Sequence, residues 1–232
     1  MLARTAPPTH VLLDLDGTIS DSSPGITRSL QHAFEACGYT PPSTDAVRTI
    51  IGPPFEIGLP RLGIDERDLD RVVAAYRDRY EDEGLFENEV YDGVPELLEA
   101  LAGEFTLAVA TAKPEQTATR IVEHFGFTEL FADVVGATTE VGSHRRTKSQ
   151  VITHALGVLG VATAHRAGPD AVMVGDRDHD VEGARHNGIE CIGVAWGFGT
   201  LDELHGAGAA HVAHHPADVV VALRTTYGEQ RR

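Results

Sequence analysis

The chain is 232 residues long, 42% of them apolar, with a net charge of −16 when the histidines are neutral. That length accommodates one large domain, or one domain plus a modest insertion, and the apolar share supplies a full core. So acidic a surface argues against nucleic acid or an anionic membrane as a partner, although a cation held in one cleft can still draw in a small anion.

The first nine residues lack the apolar stretch of a secretory signal, and no run approaches the roughly eighteen apolar residues of a membrane span. The two cysteines, Cys37 and Cys191, are far apart and lack metal-ligand spacing, which fits a reducing compartment. A cytoplasmic protein is expected, as a monomer or homodimer. Of 19 basic residues only Lys113 and Lys148 are lysines, so each is expected where a compact point charge is wanted.

The chain opens on a strand. Val11, Leu12 and Leu13 form a continuous apolar run, the pattern of a parallel strand buried on both faces. It ends in Asp14 and Asp16, followed at once by Gly17 and Thr18. Residues i and i+2 of an extended chain point the same way, so both carboxylates can aim at one spot. Like charges that close call for a proton or a cation between them.

A helix is predicted over 21–39, opening at Ser22-Ser23-Pro24 and ending near Gly38. Short helices are predicted over 44–51 and 55–62 on either side of the Gly52-Pro53-Pro54 break, then a charged amphipathic helix over 66–83. No convincing strand appears in this block. Beyond 92 the pattern alternates. Strands are predicted over 107–110, 133–135, 171–174, 191–194 and 211–213, with helices over 96–102, 115–125, 148–160 and 178–187. The expected fold class is α/β: a Rossmann-like doubly wound parallel sheet with an inserted all-helical domain. The boundaries fall at 1–20 and 91–232 for the core and 21–90 for the insertion, with a frayed end over 229–232.

Polar residues follow the apolar runs directly: Asp14 and Asp16 after the first, Thr111 after the second, Gly175-Asp176 after a later one. Ligands of open α/β sheets bind outside the carboxyl ends of the strands, so these groups are expected at one edge. Asp180, four residues past Asp176, can fold toward the same cleft, whereas Asp178 and His179 are expected to face solvent. Three or four carboxylates suit a hard cation, and Mg²⁺ is the expected cofactor. The histidines, among them His10, His144, His179, His211, His214 and His215, lack zinc-site spacing.

In that order, Asp14-Leu-Asp-Gly-Thr18, Thr111, Lys148 and Gly175-Asp176…Asp180 resemble the four motifs of the haloacid dehalogenase-like hydrolase superfamily. The resemblance covers nearly the whole chain and implies a role for each residue. Asp14 would be the nucleophile that forms an aspartyl-phosphate. Asp16 would be the general acid and then the base. Thr111 and the backbone N–H of Ala112 would hold a phosphoryl oxygen, with Thr18 also at the substrate. Lys148 would offset the charge of nucleophile and phosphate. Mg²⁺ would be bound by Asp14, Asp176 and the Asp16 carbonyl, with Asp180 acting through water or by orienting Lys148.

The helical insertion matches the C1 cap of that superfamily, which closes over the site and selects substrates. Gly52-Pro53-Pro54-Phe55 resembles the cap loop of phosphoglycolate phosphatase-like members. The run from Tyr80 through Gly84-Leu-Phe-Glu-Asn88 to Tyr91-Asp-Gly93, with Gly175-Asp-Arg177, resembles a 5′-nucleotidase-like branch. Arg28, Arg48 and Arg79 offer cap cations for a substrate anion. The function implied is a Mg²⁺-dependent phosphatase of small phosphomonoesters. A phosphomutase would share every motif, and a protein-tyrosine-directed member stays open. A dehalogenase would not need Asp16, and a receiver domain would be about half this length with its acceptor on a middle strand.

Overall fold

The computed structural model describes residues 8–52, 55–138, 145–161 and 170–228, with side chains up to 225. The expectations at Pro53, Pro54 and His144, and the frayed end over 229–232, lie outside the described residues.

The first part of the chain holds β1 (His10–Leu13), β2 (Ser20–Asp21), α1 (Ser23–Ala36), α2 (Thr44–Arg48), α3 (Phe55–Arg61), α4 (Leu69–Asp82) and β3 (Glu89–Val90). There follow α5 (Val94–Ala102), β4 (Thr106–Pro114), α6 (Glu115–His124), β5 (Asp133–Ala137) and α7 (Lys148–Val158). The last part holds β6 (Ala171–Gly175), α8 (Asp178–His186), β7 (Glu190–Val194), α9 (Leu201–Ala207), β8 (His211–Ala213) and α10 (Pro216–Gly228). The fold divides into two compact units: one runs to Ile19 and resumes at Val90, and the other is Ser20–Glu89.

The larger unit is an α/β fold around a six-stranded sheet in the order β5-β4-β1-β6-β7-β8. Every pairing in it is parallel. Counted among themselves, these strands run 3-2-1-4-5-6, the doubly wound dinucleotide-fold order, whose switch point lies beside the first strand. The burial of β1 on both faces explains its unbroken apolar run: Val11, Leu12 and Leu13 are all fully buried. Leu12 joins Val151, Ile152, Ala155 and Leu156 of α7, Val181 and Ala184 of α8 and Leu204 of α9 in one cluster. Burial of each such leucine contributes about 1.5–3 kcal/mol. Elsewhere in this unit α5 packs against β4 and α10.

In the Ser20–Glu89 unit, α1 packs against α4 through Ile26, Leu30, Phe34, Val72, Tyr76 and Tyr80, all buried. Gly25 allows a close approach: a Cβ there would lie 1.9 Å from the carbonyl oxygen of Gly84. The Gly84 motif of the sequence is thus explained by packing. The cap-like start of α1 works differently from its appearance, since Ser22 makes no side-chain cap and the Asp21 carboxylate accepts the Ser23 N–H at 2.8 Å. Two corrections apply to the elements. The strand-free reading of the insertion misses the two-residue strands β2 and β3, which pair with each other, and α9 and α10 are helices where none was predicted.

Candidate active site

Three neighbouring strands deliver the polar residues. Asp14 follows β1, Asp176 follows β6, and Thr111 lies in the outer part of β4, where the pairing with β5 shifts register between Ala110 and Pro114. Such an irregularity re-aims side chains next to active sites. It carries Thr111, Ala112 and Lys113 away from a regular ladder. Thr111 is buried and its Oγ1 accepts the Lys113 N–H at 3.3 Å. It is not a helix cap, because α6 begins only at Glu115 after Pro114.

Lys148 is the hub. It opens α7, behind a capping box formed by Thr147 and Gln150. A cation at a helix N-terminus is unfavourable, and this one is also buried, with 4% of the residue exposed. Its position is explained by its partners: Nζ lies 2.7 Å from Asp14 Oδ1, 2.7 Å from Asp180 Oδ1, and donates to the Ala110 carbonyl at 3.0 Å. Burial disfavours the ammonium charge, but Asp14 and Asp180 outweigh it and hold the lysine above its ordinary range. Asp180 is fully buried; burial opposes its ionisation, and Lys148 nonetheless holds it below the usual carboxylate range. It also accepts the Arg177 N–H at 3.0 Å, so a first-turn acid of α8 serves as both cap and bridge.

Asp176 is fully buried as well. Its carboxylate accepts the Thr18 hydroxyl at 3.2 Å and the Phe198 N–H at 2.7 Å, and forms no ion pair among the described residues. Burial, with like charge from Asp180 and Asp14, pushes its carboxyl up to about 7. Gly17 makes room for it: at φ +86°, a Cβ there would lie 2.2 Å from Asp176 Oδ2. The Thr18 hydroxyl donates to Asp176, and the Thr18 carbonyl accepts the Trp196 indole N–H at 3.0 Å. Trp196, the chain's single tryptophan, carried no sequence signal for this place. Asp16 is paired with Lys113, Nζ to Oδ2 at 2.9 Å, while its Oδ1 is buried without a hydrogen-bond partner among the described residues.

His179 requires a correction. Expected in solvent, its ring is partly buried, 3.5 Å from Asp178 Oδ1, with a nitrogen within 4.8 Å of carboxylate oxygens of Asp14 and Asp180. The first turn of α8 turns residue 179 back toward the cleft. Asp14, His179 and Asp180 have the spacing of a metal cluster. The Lys148 ammonium already stands between the two carboxylates, so a metal there would meet a fixed positive charge.

By its charge and donor chemistry the wider set of acids suits a divalent cation. Asp14, Asp16, Asp176 and Asp180 oppose Lys113 and Lys148, which leaves two negative charges over when all are ionised. The oxygen donors are those a hard cation takes.

This site, at the switch point of a doubly wound sheet, has sequence relatives. The family model described as haloacid dehalogenase-like hydrolase matches residues 11–194. The chain is 42% identical over 217 residues to a 5′-nucleotidase of Pseudomonas aeruginosa, covering 93% of each. It is 40% identical over 223 residues to the tyrosine-protein kinase PtkA of Mycobacterium tuberculosis, covering 95% of this chain and 73% of that one. A solved structure, a predicted phosphatase from Clostridium acetobutylicum, is 33% identical with a TM-score of 0.85, covering 95% of this chain and 100% of that one. The chain belongs to the haloacid dehalogenase-like hydrolases.

Proposed function

We propose that this enzyme, a haloacid dehalogenase-like phosphatase, hydrolyses small phosphomonoesters through an aspartyl-phosphate on Asp14 and requires Mg²⁺. The observation that carries the reading is the Asp14–Lys148–Asp180 bridge at the end of the central strand, with Asp16 two residues on. Lys148 occupies Asp14 Oδ1 and the Leu15 N–H donates to the same oxygen at 2.8 Å, which orients the carboxylate. Asp14 attacks phosphorus as the ester oxygen departs, and Asp16 gives that oxygen its proton. Asp16 then takes a proton from the water that cleaves the acyl phosphate, returning Asp14 and releasing inorganic phosphate. Thr111, the Ala112 N–H and Lys148 stabilise the phosphoryl oxygens as charge gathers on them. Asp14, Asp176 and the Asp16 carbonyl would hold Mg²⁺, whose chemistry is to neutralise phosphoryl charge and align the group.

The relatives named 5′-nucleotidase and phosphoglycolate phosphatase make nucleoside 5′-monophosphates and small carboxylated phosphomonoesters the substrate classes to assay first. Within the Ser20–Glu89 unit, which we read as the cap, the cations offered for substrate already hold acids. Arg28 and Arg79 reach Glu87 at 2.9 and 3.0 Å, and Arg48 reaches Asp21 at 3.2 Å. The test is p-nitrophenyl phosphate hydrolysis with Mg²⁺ by wild type and Asp14→Asn. Loss of turnover by several orders of magnitude is expected, and undiminished turnover would sink the assignment. The likeness to PtkA supports a second reading, phosphoryl transfer to tyrosine. Incubation with labelled ATP and a tyrosine peptide, beside p-nitrophenyl phosphate, separates the two: labelled peptide supports transfer, and phosphate released from the monoester with the peptide unlabelled supports hydrolysis.

A further inference from the structure

The two lysines of this chain stand on the two carboxylates of its first motif, one on each. Lys148 holds Asp14, and Lys113 holds Asp16 at 2.9 Å with side chains only 7% and 14% exposed. Long charged side chains are rarely held this deep without a specific partner. The pairing is also asymmetric. Lys113 takes Oδ2 of Asp16 and leaves Oδ1 buried with no hydrogen-bond partner among the described residues, a costly arrangement for a carboxylate unless something else arrives to use that oxygen. Lys113 is itself fixed at its root, since its backbone N–H donates to Thr111 Oγ1 in the irregular part of β4.

We propose that Lys113 is a positioning residue that clamps one oxygen of Asp16 so that the other is presented to the leaving group. The inference rests on the phosphatase reading and deepens it. Lys113 does not touch the transferring phosphorus in this role; it acts through Asp16. A displaced proton donor matters only when the leaving oxygen needs a proton, and a misplacement of about 1 Å can cost about 10²-fold.

The test compares kcat/KM for two aryl esters of similar size, phenyl phosphate and 2,4-dinitrophenyl phosphate, in the presence of Mg²⁺. The dinitrophenolate departs without a proton. Lys113→Met is expected to lower kcat/KM by about 10²-fold on phenyl phosphate and by less than about threefold on the dinitrophenyl ester. Lys113→Arg, which keeps the cation and serves if the methionine variant misfolds, is expected to recover part of the difference. In an Asp16→Asn background, Lys113→Met is expected to cost nothing further on phenyl phosphate, because residues that act as one unit are not additive. Equal losses on both esters, or additive losses with Asp16→Asn, would overturn the proposal. Wild type inert toward both esters, or Asp16→Asn affecting the two esters alike, would overturn the phosphatase reading and this inference with it.

Discussion

At the scale of single residues, the site is a charge arrangement that water could not hold. Asp14 and Asp180 are buried, and Lys148 is the ammonium between them. Removing one member of a buried ion pair leaves the others uncompensated, at a cost of about 3–5 kcal/mol. Lys148→Met is therefore expected to lower unfolding free energy by about that amount in urea titrations. A change within about 0.5 kcal/mol, the size of a surface substitution, would contradict the burial argument. That Asp14 and Asp176 stand just past strand ends was legible because the apolar runs before them are local features of the sequence. Lys113 was legible only as a rarity, one of two lysines among 19 basic residues. Nothing local says that it meets Asp16, a contact between β4 and the turn after β1. His179 was misplaced because the group it faces besides its neighbour Asp180 is Asp14, at the opposite end of the chain.

At the scale of elements, β1 and β6 and their turns fix where the acids sit, and α7 fixes Lys148. The helix begins where it does because Thr147 accepts the Gln150 N–H at 3.4 Å and Gln150 accepts the Thr147 N–H at 3.0 Å. Thr147→Ala is expected to cost about 1 kcal/mol of stability and, by loosening the first turn, to lower kcat more than it changes KM. Chemical denaturation and steady-state kinetics check the two parts, and unchanged kcat would separate the cap from the site. The strands of the sheet were legible as apolar runs. The helix α10 was not: Val219-Val220-Val221 is a β-branched run that reads as a strand by propensity. Packing decides otherwise, because Val219, Ala222 and Leu223 are buried at helical spacing. In α9 the Thr200-Leu-Asp-Glu203 start carries a capping signal, and Thr200 does accept the Glu203 N–H at 3.1 Å.

At the scale of the whole molecule, the uncompensated acid charge couples stability to pH and to cations. The Asp176 carboxyl, near 3.8 when unfolded, lies up to about 7 in the fold. Between those values the folded state binds more protons than the unfolded one, so stability falls as pH rises from about 4 to about 7. His179, raised above 6.5, continues the fall in the same direction. Asp180 is shifted down, so its contribution is complete above about 4 and is lost only below that window. Cation-free protein is thus expected to melt at a lower temperature at pH 7 than at pH 5. Asp176→Asn should flatten that slope, and MgCl₂ should raise the melting temperature more at pH 7 than at pH 5. Thermal melts across pH check all three, and a slope of the opposite sign would contradict the charge assignment. Among the described residues no helix is long and apolar enough to cross a membrane.

The proposed chemistry turns on one covalent bond, from Asp14 to phosphorus. The direct measurement is rapid acid quench during turnover of a labelled phosphomonoester, borohydride reduction of any acyl phosphate, and peptide mass spectrometry. Reduction at position 14 alone, absent in Asp14→Asn, is the predicted result. Phosphate release with no trapped intermediate at Asp14, or with the label on another residue, would contradict it.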